Sequence, residues 1–241
     1  IEEYLTKAAG NIICSILFSV RYEFDDPQSN RILRMSRDWL NTSTNPPAHF
    51  ESVPLFIAKA IYKEYCRDLK NSYDAFREFT KKHVEDHKAT FDPSKLRDFL
   101  DVYIKEDKLD IDAFVDTAFI FIPDATDTLG LVILWALLFI VHHSEIQERI
   151  QREIDDVTGG TRKVMLQDKA NMPYTEATIL ESFRRCNTVT ATGYHKAKPG
   201  ATIAGYNIPE NALIMANIYA AHMDEKVWED PKVFRPERFL D

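Results

Sequence analysis

Glu181-Ser182-Phe183-Arg184 sets a carboxylate and a guanidinium three residues apart, on one face of any helix that carries them. Pairs at that spacing are ordinarily exposed and contribute little to stability. Much later in the chain, Pro236-Glu237-Arg238-Phe239 follows Trp228, Pro231 and Phe234, an aromatic and proline-rich segment that holds another arginine. A buried three-member cluster of Glu181, Arg184 and Arg238 requires such a bidentate partner, because a desolvated carboxylate must have its lone pairs met.

The surroundings of that segment read as helix. Tyr174 to Arg185 carries helical spacing, and Gly159-Gly160 closes the helix before it. Upstream, a long helix begins after Asp110 and runs through an apolar block to about Val157, with a break near His142-His143-Ser144. Leu5, Ala8, Ala9, Ile12, Ile13, Ile16 and Leu17 mark an opening amphipathic helix that ends near Val20. Asp25-Asp26-Pro27 caps the next, over Ser29 to Leu40, and a polar loop, 41–47, follows. Ile57, Ile61, Tyr65, Leu69, Tyr73, Phe76 and Phe79 predict one further helix continuing towards His87, and Leu100, Tyr103 and Ile104 a short one. Downstream the period changes. Residues 201–209 and 212–216 alternate like a hairpin with its turn at Pro209 to Asn211. The fold class is therefore mainly α with a small late β-sheet. No linker divides the chain, so 1–241 reads as a single domain, with both ends reading as cut.

Composition narrows the function. Hydrophobic residues make up 45% and charged residues 28% of 241, which excludes disordered and collagen-like classes. A net charge of −8 disfavours a nucleic-acid surface, which needs clustered positive charge. Cys14, Cys66 and Cys186 are odd in number and far apart, with no CxxC, so neither a disulfide framework nor a zinc site is indicated and they read as packed thiols. The most apolar stretch, Leu129 to Val141, is shorter than the roughly 18 to 20 residues of a membrane span and reads as a buried core helix. His83 and His87 stand four apart, but Glu85 lies between them where a zinc protease has Glu directly after the first His, so this stretch reads as solvated helix. The absence of any Glu-x-x-His disfavours a di-iron carboxylate bundle.

Pro123-Asp124-Ala125-Thr126-Asp127-Thr128 interrupts the long apolar helix with two carboxylates and two hydroxyls, which is costly in a core unless they are bonded or face a cavity. Two readings stand. Asp124 caps a new helix after Pro123, or the helix is distorted beside a ligand with an acid and an alcohol placed for proton transfer. On the second reading Asp124 forms a like-charge pair with Asp127 that raises the proton affinity of one of them.

Taken in order, the acid and Thr signature at 123–128, Glu-x-x-Arg at 181–184, a basic residue before a hairpin and Pro-Glu-Arg-Phe at 236–239 resemble the cytochrome P450 family. Smaller matches to microsomal, family-two-like members are Tyr4-Leu5-Thr6, Asn11 to Ile16, Arg97-Asp98-Phe99, Gly205-Tyr206, Ile208-Pro209 and His222-x-Asp224-x-x-x-Trp228-x-x-Pro231. The resemblance implies a haem b cofactor and monooxygenation of a small apolar substrate. It implies electrons from NADPH-cytochrome P450 reductase or a similar donor, and an endoplasmic reticulum membrane location on the cytosolic face through an N-terminal anchor outside 1–241. Asp127 and Thr128 match the catalytic acid and alcohol over the haem face. Ala125, Thr128, Val189 and His195 match cofactor-binding positions, His195 at a haem propionate. Phe119, Phe121, Asp124, Val189 and Thr192 match the substrate pocket, with its roof on the helices from Ser29 and from Ile57. Glu181, Arg184 and Arg238 match a structural charge cluster.

Two departures qualify the resemblance. Asp124 and Ala125 stand where the family has a small residue and Gly. The Phe-x-x-Gly-x-Arg-x-Cys-x-Gly loop, whose Cys thiolate ligates haem iron, does not occur within 1–241, so no metal ligand is assigned here and the axial Cys is expected in a C-terminal segment outside it. The rival reading is a non-enzymatic helical ligand-binding protein, or a degraded paralogue without functional haem.

Overall fold

In the computed structural model, which describes residues 1–43, 45–47, 50, 53–106 and 110–240, the chain divides into two compact units, Ile1–Ile133 and Leu134–Asp241. Position 44 of the expected polar loop lies outside the described residues.

The first unit is helical. Its helices are α1 (Glu2–Phe18), α2 (Pro27–Ser43), α3 (Leu55–Ile61), α4 (Lys63–Ala89), α5 (Phe99–Lys105) and the first two thirds of α6 (Ile111–His142). The faces read from sequence meet only in part: Leu17, Phe76, Phe79 and Leu100 pack in one core with Cys14, Phe18, Ile32, Met35, Phe114, Ala118 and Ile122, whereas Ile12, Ile16 and Ile61 are exposed. Helix α1 lies close against α6 because the residue at the crossing has no side chain. A Cβ added to Gly130 would stand 3.0 Å from Thr6 Oγ1 and 3.1 Å from Thr6 Cα, closer than packed atoms tolerate.

Three sequence expectations change here. The single helix predicted from Ile57 towards His87 is broken at Tyr62, whose φ of −105° and ψ of 49° leave the helical region while its ring sits edge-on to Phe50. Secondly, His83 and His87 are buried, at 8% and 6% exposure, and do not lie on a solvated face. Helix α5 and the strand-like segment after α1 fold over them, a tertiary effect that the period of α4 could not reveal. His83 Nδ1 donates to the Phe79 carbonyl at 2.8 Å, which leaves Nε2 to accept from Tyr22 Oη at 2.9 Å. His87 Nδ1 reaches the His83 carbonyl at 2.9 Å, and its Nε2 lies 2.7 Å from Asp98 Oδ2. Asp98 also caps α5, accepting from Asp101 N at 3.0 Å.

The third change concerns Leu129 to Val141, which is not a buried core helix. Leu131, Trp135, Leu137, Leu138 and Val141 are all exposed. By length and composition, α6 is apolar and long enough to cross a bilayer; Asp124 and Asp127 within it would be costly in lipid.

The second unit holds the end of α6, then α7 (Ser144–Thr158) and α8 (Pro173–Cys186), and α9 (Ile218–Met223) late in the chain. The break between α6 and α7 falls at His143, as expected. Glu153 on α7 caps α8 by accepting from Tyr174 N at 2.8 Å and Thr175 N at 2.7 Å, a carboxylate at a positive helix end. Four two-residue strands form two antiparallel pairs: β1 (His195–Lys196) with β4 (Leu213–Ile214), and β2 (Thr202–Ile203) with β3 (Tyr206–Asn207). The expected turn at Pro209 to Asn211 therefore does not join the hairpin. The tight turn is at Ala204-Gly205, both with positive φ (49° and 83°), the two-residue geometry whose twist matches paired strands.

The burial of His83 yields the first prediction. Desolvation holds its pKa below the ordinary 6.5, so between those values the unfolded chain binds the extra proton and the folded one does not. Stability is then complete above about pH 6.5 and declines as pH falls below it. Urea denaturation of wild type and His83→Asn between about pH 7.5 and 5.5 should show a shallower decline in the variant; parallel curves would contradict the assignment.

Candidate functional site

The site residues fall in both units. On α8, Glu181 and Arg184 are the most enclosed charged side chains, 0% and 2% exposed. The fork is bidentate: Arg184 Nε donates to Glu181 Oε2 and Nη2 to Oε1, each at 2.7 Å. Arg184 Nη1 donates to the His222 carbonyl at 2.7 Å, and the guanidinium lies 5.1 Å from the Trp228 ring centre. Glu181 Oε1 also accepts from Arg235 N at 3.0 Å, and Arg238 Nε stands 3.4 Å from it, an ion pair without hydrogen-bond geometry. Arg238 spends its other nitrogens on the carbonyls of Glu229, Asp230 and Val233. One carboxylate thus ties the loop from His222 to Arg238 onto α8, and the geometry joins Glu181, Arg184 and Arg238.

On α6 the helix runs without interruption through Pro123, so Asp124 is not an N-cap. Phe121, Asp124, Thr128 and Leu131 follow one another at three- and four-residue steps and share a face. Phe121, Asp124 and Leu131 are exposed, and Ala125 and Thr128 half-buried, along it. Phe119 lies elsewhere, packed edge-on against Trp39 at 4.5 Å and Tyr73 at 5.0 Å. Asp127 is half-buried, and its Oδ2 is buried without a hydrogen-bond partner. Desolvation raises its pKa, with Arg37 opposing and Glu2 reinforcing the rise. Its charged neighbours are therefore Arg37 of α2 and Glu2 of α1, not Asp124 as expected; Asp124 stands exposed, whereas the Asp127 carboxylate is half-buried towards those two helices. Thr126, which sequence reasoning passed over, is fully buried against Gly10 of α1, its hydroxyl also unpartnered.

In the second unit, His195 is exposed on β1, paired in register with Ile214. Val189 is exposed, while Thr192 is tied to the backbone: its N donates to the Ala216 carbonyl at 3.0 Å and its Oγ1 accepts from Ala216 N at 2.9 Å. None of the cysteines suits iron ligation. Cys14 is buried, which pushes its thiol up to about 12; Cys186 is buried with its Sγ on the Phe183 carbonyl; Cys66 is half-buried beside α3. The ligand atoms of His87, Asp98 and Asp101 lie within 4.8 Å of one another. Their lone pairs are committed, however: Asp101 accepts the Arg97 fork at 2.7 and 2.8 Å, and Asp98 meets His87 and the α5 cap.

A family match described as Cytochrome P450 covers residues 1–241. The chain belongs to the cytochrome P450 family. It is 31% identical to human cytochrome P450 2U1 over 98% of this chain and 45% of that protein, and 31% identical to rat cytochrome P450 1A1 over 99% and 47%. A zebra fish cytochrome P450 structure with progesterone matches all of this chain and 56% of that one, with a TM-score of 0.88 at 25% identity. This P450 chain spans about half the length of the relatives it matches, and its mainly helical architecture is that of part of the family fold.

Two outcomes follow from the site. Glu181→Ala leaves two buried guanidinium groups without their anion and should cost about 3–5 kcal/mol, whereas Glu176→Ala, which breaks the exposed pair with Lys169, should cost under about 1 kcal/mol; equal losses on chemical denaturation would refute the difference in burial. Separately, the 241-residue chain supplied with haem and reduced under carbon monoxide should give no thiolate-type Soret shift, since Cys14 and Cys186 are buried and the Cys66 sulfur faces the Ala58 carbonyl. Appearance of that shift would identify one of the three cysteines as a ligand.

Proposed function

We propose that this chain forms part of a single-domain, haem-dependent monooxygenase that inserts one atom of dioxygen into a small apolar substrate. The observation that carries the reading is the mid-helix pair Asp127-Thr128, in which the acid is desolvated, holds its proton more firmly than an ordinary carboxyl and has an oxygen free of partners. The exposed face of α6 fits a flat, largely apolar group: Phe121 and Leu131 flank the small Ala125 and the Thr128 hydroxyl. When bound, haem would supply the redox chemistry on dioxygen, its axial thiolate coming from a Cys outside 1–241.

The chain's own residues then divide the work. Asp127 holds a proton and Thr128 passes it on through its hydroxyl, a relay that the apolar Phe121 and Leu131 would shield from water once that face is covered. His195, exposed at β1, would donate to a haem propionate, and Val189 is the second cofactor-binding position that the resemblance gives in this unit. Phe121 and Asp124 in the first unit, and Val189 and Thr192 in the second, are the residues that the resemblance assigns to the substrate; Phe119 packs instead on Trp39 and Tyr73. Glu181, Arg184 and Arg238 position the loop and take no part in proton transfer. NADPH-cytochrome P450 reductase or a comparable donor supplies electrons, at the cytosolic face of the endoplasmic reticulum membrane. Membership of the cytochrome P450 family is what supports this donor and this location.

A second reading, a ligand-binding paralogue without functional haem, draws on the three inert cysteines and on Asp124 and Ala125 in place of the family's small residue and Gly. The complete protein distinguishes them. Turnover with a reductase, a thiolate-type carbon monoxide spectrum, a fall in product formed per NADPH with a rise in peroxide in Thr128→Ala, and a loss of about 10²-fold in rate in Asp127→Asn are expected of the enzyme. Ligand binding with no such spectrum and no turnover would establish the paralogue.

A further inference from the structure

The charge count around α8 does not close. Three guanidinium groups, Arg184, Arg185 and Arg238, surround one carboxylate, and both oxygens of Glu181 are already taken by Arg184, with Oε1 shared further by Arg235 N and Arg238. Arg185 stands one turn after Glu181, a spacing that normally favours pairing, yet it forms no ion pair among the described residues. Its Nε is buried without a partner, and the one hydrogen bond of its fork is from Nη1 to the Met223 sulfur at 3.7 Å, a weak acceptor. Desolvation, reinforced by the charge of Arg184 and, more weakly, Arg238, lowers its pKa; Glu181 and Tyr219 oppose the shift.

A guanidinium presents five donors in a planar fork and stays charged at any ordinary pH. Held half-buried beside other cations, it is stabilised by an oxyanion that accepts two parallel N–H bonds. The side chain is partly accessible, so a dissolved ion can reach it. We propose that Arg185, between the C-terminal turn of α8 and Met223 of α9, is the anchor of a binding site for a small free oxyanion, a carboxylate or phosphate group. Tyr219, in the first turn of α9, the helix that also carries Met223, acts electrostatically on Arg185 and can offer its hydroxyl. The site is separate from the Glu181 cluster in function: that cluster is internally neutralised by its own carboxylate and carbonyls, and the fork of Arg185 is what remains over.

The test is the thermal unfolding midpoint of the protein titrated with inorganic phosphate, and with acetate as the carboxylate arm, at ionic strength held constant with chloride. The wild type should rise to a plateau at a concentration well below that of the balancing salt. Arg185→Met, which keeps the length of the side chain and removes charge and fork, should lose the rise while matching or exceeding the wild-type midpoint without phosphate, because an unpaired desolvated cation has been removed. Arg185→Lys should retain a weaker rise, having the charge without the fork. A wild-type midpoint that does not respond to either ion overturns the proposal without recourse to a variant, and so does an equal response in wild type and Arg185→Met.

Discussion

A carboxylate removed from water must be met on every lone pair, and Glu181 shows what that demand does to a chain. Its partners come from three places in the sequence: the next turn of α8, the backbone at Arg235, and the side chain of Arg238. None of them is optional once the carboxylate is buried, because an uncompensated ion at that depth costs several kcal/mol. The loop from His222 to Arg238 contains no long regular element, yet it is held at fixed points by carbonyls that Arg184 and Arg238 draw to themselves. Trp228 adds a third tie through its indole N–H on the Ala221 carbonyl at 3.0 Å. The irregular half of the second unit is thus ordered by charge, and the helical half by the stacking of Phe234 on Phe139 at 4.4 Å over Ile146, Ile150 and Tyr174.

The first unit solves a different problem with the same kind of chemistry. Two histidines on one face of α4 would be solvated if α4 stood alone, and their spacing says nothing more. What allows their burial is the partner each imidazole finds: Asp98 for His87 when α5 folds back, and for His83 the hydroxyl of Tyr22, arriving from beyond α1 and donating to Nε2. Asp98 works twice, once on an imidazole and once on the first turn of α5, so helix capping and helix docking are the same event. Arg97 and Asp101 close the arrangement from the other side.

Helix existence was legible in the sequence because it rests on local period: the break at His143 and the close of α7 at Gly159 follow from residues within a few positions, whereas the face of α1 was read one step off, with Ile12 and Ile16 exposed and Cys14 and Phe18 in the core. The pair Glu181 and Arg184 was visible as spacing and as a family motif, but its burial was not, since an exposed pair is written the same way. The turn of the small hairpin was misplaced because Pro209 looks like the stronger turn signal, while Ala204 takes a positive φ that its side chain disfavours; Gly205 takes one too, at no such cost. Arg185 carried no signal at all. Its significance depends on both oxygens of Glu181 being occupied, which only coordinates can say.

Pro123 shows how far packing can override a local rule. A proline inside a helix removes one donor and crowds the carbonyl four residues earlier, at a cost of about 3 kcal/mol. Here α6 nevertheless continues from Ile111 to His142. Phe119, the residue whose carbonyl is left without its usual partner, is clamped by Trp39, Tyr73 and Phe76, and Thr126, just beyond the proline, is enclosed against α1. The helix is therefore fixed on both sides of the weak point by contacts that do not involve the lost bond. With the backbone fixed in this way, the buried oxygen of Asp127 and the hydroxyl of Thr126 stay without partners, and a segment that should relax by unwinding instead keeps its unsatisfied groups in place. Such groups are tolerated only where the surrounding structure over-determines the backbone, and the acid that this arrangement leaves desolvated is the one best suited to hold a proton.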